Sequence, residues 1–142
     1  MENNPKNNHF TLSSILKPIE TGNENNLSRS SEIRLDQCIS FFMKGKRALD
    51  NNEIDNAIKL FEKAIEIDPN FYYSYQNLAV IYAQQGDLVK AVENVEKLKM
   101  LIPNNPRVYY NSALIYVALN NKEQATADLK EGLKYSSLDP ET

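Results

Sequence analysis

The chain has 142 residues, of which 42% are apolar, and carries a formal net charge of -3 at pH 7. This length suits one domain with its own core, and the slight negative charge offers no basic field for a phosphate backbone, which argues against nucleic acid as a partner. Cys38 is the only cysteine, which excludes an intrachain disulfide and a metal site built from cysteines.

Residues 1–30 differ in composition from the rest of the chain, since they are rich in Asn and Ser and poor in side chains to bury. We expect a flexible N-terminal arm, because such a segment cannot offset its ordering entropy. Four apolar residues in it have helical spacing on one face: Leu12, Ile15, Leu16 and Ile19. Pro18 would disrupt that turn. The alternative to a solvated tail is therefore a short docking motif.

The N-terminus lacks the cationic start and apolar run of an export signal, and nowhere do eighteen apolar residues follow one another. A reducing compartment agrees with the single cysteine. We therefore expect a cytoplasmic protein without membrane insertion.

From Ser30 onward, apolar residues recur with helical spacing, and polar turns separate six segments of about 12–16 residues. Four start signals are predicted N-caps: Ser30 or Ser31, Asn52, Asp87 and Asn105. Asp55 follows Asn52 as a capping-box equivalent, and Pro106 occupies a first helical position. No segment alternates with the period of a strand, so the predicted fold class is all-α.

Small residues and prolines repeat along the chain. Ala57, Ala91 and Ala125 are 34 residues apart, and Pro69 and Pro103 keep the same interval. A helical hairpin of this length cannot close a core alone, so successive copies must stack on one another. Alanine at the crossing of two helices lets their backbones approach closely.

These features resemble those of tetratricopeptide repeat (TPR) proteins. The first copy, residues 38–71, matches the family pattern at Phe41, Gly45, Ala57, Phe61, Ala64 and Pro69. The second, residues 72–105, matches at Tyr75, Leu78, Ala79, Tyr82, Ala91 and Pro103, and the third, residues 106–139, at Tyr109, Ala113, Tyr116, Ala125, Leu129 and Gly132. The resemblance implies a right-handed superhelical stack of three hairpins over residues 31–139, with residues 140–142 as a tail.

The resemblance also implies that the first helix of each hairpin lines a concave groove that binds a peptide segment of another protein. The implied groove residues are Ile39, Phe42, Lys46, Leu49, Tyr73, Gln76, Asn77, Val80, Arg107, Tyr110, Asn111 and Leu114. Met43, Ala83 and Val117 share the same positions in their copies. Tyrosines offer contact area at low entropic cost, and amides can pair with a peptide backbone.

The chain has few residues that could take part in catalysis. His9 is the only histidine, and it lies in the polar arm, so a triad would need a base from that segment. No glycine-rich phosphate loop occurs, and Cys38 has no cationic neighbour in sequence that would activate it. We expect a non-catalytic protein without cofactor or metal.

One specialised TPR class grips the acidic C-terminus of cytosolic chaperones with a clamp of Lys, Asn and Arg. The corresponding residues here are Phe42, Lys46, Asn77, Arg107 and Asn111. Only Asn77 matches outright and Arg107 keeps a charge, which argues against that ligand because each charge-assisted bond matters in such a site.

Two further hypotheses stay open. The size, the three copies, the N-terminal extension and the apolar groove are similar to those of type III secretion chaperones, so the alternative function is a dedicated chaperone or assembly factor that masks an apolar client segment. The third copy has polar Lys122 and Thr126 where the others are apolar, as in a terminal repeat, yet Leu133 and Tyr135 stay apolar. That patch leaves a homodimer open.

Overall fold

The structure is a computed structural model that describes the backbone of residues 25–136 and the side chains from residue 28 onward. Most of the expected arm and the C-terminal tail lie outside the described residues. Six helices occupy this part of the chain: α1 Asn25–Asp50, α2 Ile54–Ile67, α3 Tyr72–Gln85, α4 Leu88–Leu101, α5 Pro106–Ala118 and α6 Lys122–Ser136. Residues 25–136 contain no strand, and the all-α prediction is confirmed.

The first helix begins earlier than the sequence indicated. It includes Asn25, so Ser30 and Ser31 lie inside α1 and the predicted N-cap there is wrong. No proline or glycine separates residues 25–30 from the following helix, and nothing in that stretch therefore ends the helix. Residues 25–30, which were expected to be part of the arm, belong to α1.

The start of α2 is also different from the prediction. Its N-cap is Glu53, which makes no capping hydrogen bond with its side chain. Asn52 has a φ of 60° and closes the preceding turn, in which its N–H donates to the Leu49 carbonyl at 2.9 Å. An asparagine tolerates this left-handed conformation better than most residues. The predicted cap at Asn52, with Asp55 as its capping-box partner, is therefore wrong.

The caps of α4 and α5 are confirmed. The Asp87 side chain accepts a hydrogen bond from the Lys90 N–H at 3.2 Å. The Asn105 side chain accepts one from the Arg107 N–H at 3.0 Å, with Pro106 at the first helical position. Each bond satisfies a backbone donor that the helix itself cannot pair.

The helices form three hairpins, α1–α2, α3–α4 and α5–α6, and α2 packs on α3 as α4 packs on α5. The three periodic alanines, Ala57, Ala91 and Ala125, are all buried, as close approach of paired helices requires. Gly45 serves the same purpose in α1, because a Cβ there would lie 2.7 Å from Cε1 of Phe61. The predicted stack of helical hairpins is confirmed.

Replacing Ala91 by Leu is expected to lower the free energy of unfolding by about 1–3 kcal/mol, because the added carbons have no space in a packed junction. Ala91 is fully buried. Thermal unfolding would measure the change as a fall in melting temperature. Val89→Leu, at an exposed position of the same helix, is the control, and an Ala91→Leu transition equal to the control's would contradict this packing.

Candidate functional site

The residues that the sequence assigned to a groove lie on α1, α3 and α5, the first helices of the three hairpins. None of them is buried. Lys46, Tyr73, Val80, Arg107, Tyr110 and Leu114 are exposed, and Ile39, Phe42, Leu49, Gln76, Asn77 and Asn111 are half-buried. A ligand that lies across these helices would therefore meet side chains from all three hairpins.

An aromatic cluster joins α1 to α3 at one end of this surface. The ring centroid of Phe42 lies 5.9 Å from that of Tyr73 and 5.7 Å from those of Phe61 and Phe71. Phe71 in turn lies 5.5 Å from Tyr73. Such spacings suit tilted and edge-on aromatic contacts. Phe42 therefore lines this surface and also connects it to the core through Phe61.

Phe71 is a residue of this site that the sequence analysis did not identify. It is buried and occupies the N-cap position of α3 without a capping hydrogen bond. An apolar side chain at a position that favours Ser, Asp or Asn was the available signal. Ile39 and Leu49, which the sequence assigned to the groove, pack partly against the core.

A cleft of 140 Å³ separates α3 from α5. Its lining residues are Gln76, Ala79, Val80, Ala83, Val95, Leu98, Asn111, Leu114 and Ile115. Four of the predicted groove residues, Gln76, Val80, Asn111 and Leu114, thus meet around one depression. The buried floor, which includes Val95 and Leu98 of α4, was missed because it comes from a helix outside the predicted surface. The depression is suited to an apolar side chain flanked by two amides.

The polar groups of this surface are amides and cations. Asn77 donates its Nδ2 hydrogen to the Tyr73 carbonyl at 2.9 Å, so its Oδ1 is the atom that can accept a hydrogen bond from a ligand. Lys46 and Arg107 are exposed, and neither takes part in an ion pair within residues 28–136. No Asp or Glu occupies a groove position. The surface is therefore apolar with a weak positive bias.

A buried ionic network fixes the third hairpin against the second. The Lys99 ammonium lies 2.8 and 2.9 Å from the two carboxylate oxygens of Asp128 and 2.8 Å from Oε1 of Glu96. Ser112 donates its hydroxyl hydrogen to the same Asp128 carboxylate. Tyr116 donates to Glu96 at 3.1 Å, and burial together with this bond raises the pKa of Tyr116 to about 12.

Sequence analysis did not find this network, because the repeat pattern does not indicate which charged residues meet across helices. Asp128 is in fact 4% exposed, and its charge is balanced by Lys99 of α4. The network holds three helices together rather than facing the groove.

Cys38 has the properties of a packing residue. It is fully buried, and its thiol donates to the Ala64 carbonyl at 3.4 Å. Burial is the main cause that raises the pKa of the thiol, and a protonated thiol is a poor nucleophile. The described residues hold no cluster of three or more His, Cys, Asp or Glu side chains placed to bind a metal.

No helix among residues 25–136 is both long and apolar enough to cross a bilayer.

Family models described as tetratricopeptide repeat match residues 39–71, 60–93 and 106–137, together more than half of the chain. The chain is 26% identical over 98 residues to Hsp70-Hsp90 organizing protein 3 of Arabidopsis thaliana, a match that covers 69% of this chain and 18% of that protein. The chain thus spans less than a fifth of this relative.

Solved structures share the fold. The crystal structure of MamA superposes with a TM-score of 0.70 and 22% identity over 85% of this chain and 73% of that chain. The first TPR of Spaghetti (RPAP3), bound to the HSP90 peptide SRMEEVD, superposes with a TM-score of 0.66 and 20% identity over 75% of this chain and 84% of that chain.

Proposed function

The chain belongs to the tetratricopeptide repeat family, and we propose that it is a non-catalytic interaction module that binds a peptide segment of another protein across α1, α3 and α5. Three stacked hairpins offer an extended wall rather than an enclosed pocket. The net charge of -3 favours a protein ligand, because a nucleic acid would need a basic surface to bind its phosphates. We place the protein in the cytoplasm, because a chain with a single cysteine suits a reducing compartment.

The distribution of exposed apolar side chains carries this proposal. Twelve large apolar residues are exposed in the described chain, and half of them share the groove positions of the three first helices. These are Met43, Tyr73, Val80, Tyr110, Leu114 and Val117. Exposed apolar residues scattered singly need no explanation, but a contiguous set marks a binding surface.

The charges on α3 and α5 restrict the chemistry of the proposed ligand. No Lys, Arg, Asp or Glu occurs in α3, and Arg107 is the only such residue in α5. An apolar or aromatic segment of neutral to slightly acidic character would therefore bind without an unpaired acidic group beneath it. Gln76, Asn77 and Asn111 supply amides for its backbone.

The peptide bound by the Spaghetti domain is an acidic HSP90 segment, and we propose a different ligand here. Phe42 stands at a position where the chaperone clamp has a polar residue, and its ring packs on Phe61 and Phe71. A phenyl ring has no charged donor, so Phe42 cannot supply the charge-assisted bond of the clamp. The chaperone alternative is not favoured, because two TPR neighbours hold a short peptide. The role of its arm, of which residues 1–24 lie outside the described structure, stays a prediction.

The test compares three baits in affinity capture from the native cell with mass spectrometry: wild type, Tyr73→Ala/Tyr110→Ala, and Val89→Ala/Met100→Ala. The control pair is exposed on α4, outside the groove helices. We expect the wild type and the control to recover the same partners. The groove variant should recover about tenfold less of each partner, or even less, because tyrosines that a ligand buries contribute much of the binding energy.

Equal recovery of every partner by all three baits would remove the groove from consideration. Tyr73 also contacts Phe42, Phe71 and Tyr72, so its loss can loosen the fold. Tyr110→Ala alone, at a side chain that is 56% exposed, separates ligand binding from folding, and thermal unfolding of each bait verifies that it is intact.

A further inference from the structure

The cleft between α3 and α5 has an apolar floor and an uncharged rim. Its volume is 140 Å³, close to the roughly 150 Å³ of an apolar protein cavity that holds benzene. Val95 is fully buried in its floor, and Leu98 and Ile115 are 2% and 7% exposed. None of the described residues that line it is charged. The cleft therefore has room for one apolar side chain, whereas a charged one would lose solvent there without a partner.

Three lining residues of the cleft are smaller than their equivalents in the first copy of the repeat. The pairs are Phe42 and Gln76, Leu49 and Ala83, and Phe61 and Val95. Between the first two hairpins, the ring of Phe42 lies 5.7 Å from that of Phe61 and 5.9 Å from that of Tyr73, so aromatic carbons fill the space between α1 and α3. Between the second and third hairpins these rings are absent, and the cleft is the space that they would fill.

Two amide side chains line the cleft from different helices, Gln76 from α3 and Asn111 from α5. Both are half-buried, and neither side chain has a hydrogen-bond partner within residues 28–136. An amide both donates and accepts, as each peptide unit does. The backbone of an α-helix is paired internally, so an extended backbone is the ligand that these two amides can bind.

Arg107 places a charge next to one of these amides. It precedes Asn111 by four residues on α5, and side chains at this spacing lie on the same helix face with their Cβ atoms about 5–6 Å apart. Arg107 is exposed and forms no ion pair within residues 28–136. Two residues of an extended chain span about 6.6 Å. A ligand carboxylate two residues from the cleft would therefore be placed to pair with Arg107.

On the basis of the function proposed above, we propose that this cleft binds one apolar side chain, the anchor, of an extended partner peptide that carries a carboxylate two residues away. The N-terminal arm of the chain is the alternative occupant. Its helically spaced apolar residues, Leu12, Ile15, Leu16 and Ile19, have no Asp or Glu two residues away on either side. Charge complementarity with Arg107 therefore favours a segment of another protein.

Selection of peptides by the full chain from a displayed library of random sequences tests the proposal. We expect the selected peptides to share an apolar residue with Asp or Glu two residues away. Replacing that apolar residue by alanine in a synthetic peptide should weaken binding at least about tenfold, because its burial is lost. This comparison leaves the protein unaltered.

Ala83→Leu gives the cleft the side chain that the first copy has at this position, Leu49. It should weaken the selected peptides at least about tenfold without lowering the melting temperature, because the added carbons enter empty space. Gln84→Leu is the matched control, since it adds a leucine at an exposed neighbour on α3 that does not line the cleft. It should bind like the wild type. Arg107→Met should remove the preference for the acidic residue and keep the apolar anchor.

Selected peptides without an apolar anchor, or peptides that bind equally well to wild type and Ala83→Leu, would overturn the anchor site. If Tyr110→Ala still weakened those peptides, the proposed function would stand without it. If no peptide were selected and Tyr110→Ala retained every captured partner, both proposals would fail. A synthetic peptide of residues 8–24 that competes with the selected peptides and loses affinity with Ala83→Leu would identify the arm as the occupant and overturn the proposed partner.

Discussion

Replacing Lys99 by Met is expected to lower the free energy of unfolding by about 2–4 kcal/mol, because the buried Asp128 carboxylate would lose its cation. Lys99 Nζ contacts both oxygens of that carboxylate, and the side chains of Lys99 and Asp128 are only 13% and 5% exposed. The Ser112 and Gln124 hydrogen bonds to Asp128 would remain. They satisfy lone pairs but do not neutralise the charge.

Urea unfolding would measure this loss, with Lys134→Met as the matched control. Lys134 pairs with Glu131 at 2.6 Å, but its side chain is 68% exposed, and an exposed pair contributes about 0–1 kcal/mol. The double variant Lys99→Met/Asp128→Leu should regain much of the lost stability, because it also removes the Asp128 carboxylate that Lys99→Met leaves buried without a cation. Equal effects of Lys99→Met and Lys134→Met would show that the buried pair does not stabilise the stack.

Replacing Phe61 by Ala is expected to lower the free energy of unfolding by about 3–5 kcal/mol, since it leaves a cavity in the core. The Phe61 ring is fully buried, lies 5.7 Å from the ring of Phe42, and fills the space that Gly45 leaves open. The site has little means to collapse, because Gly45 has no side chain to move into it.

Leu129→Ala is the matched control for Phe61→Ala, since both residues hold the same position of the repeat. Leu129 is 45% exposed, and its truncation should cost less than about 1.5 kcal/mol. Chemical unfolding compares the two variants. Equal effects of the two substitutions would show that burial does not set the cost of truncation at this position of the repeat.

Phe42 links the stability of the stack to its proposed ligand surface. Its ring contacts Phe61 in the core and Tyr73 on the exposed wall. Loss of Phe61 would therefore also loosen the support beneath Tyr73. The Tyr110 end of the surface rests instead on the third hairpin, which the Lys99 and Asp128 pair holds in place.

The sequence by itself determined the repeat and the surface. The 34-residue interval placed Ala57, Ala91 and Ala125 at helix crossings, and all three are buried. It also placed the proposed groove residues on three equivalent helices. Periodicity works for these features because each depends on spacing within one helix or between identical copies, which the covalent order of the chain specifies.

Tertiary structure alone decided where copies differ from one another. Asp128 is buried because Lys99 of another helix neutralises it, Phe42 is half-buried because Phe61 and Phe71 meet its ring, and Asn52 turns the chain instead of capping α2. Each outcome depends on which side chains meet across helices and on the rotamers that fit there. The spacing of residues along the chain does not specify this fit, so it is determined by the packing between hairpins.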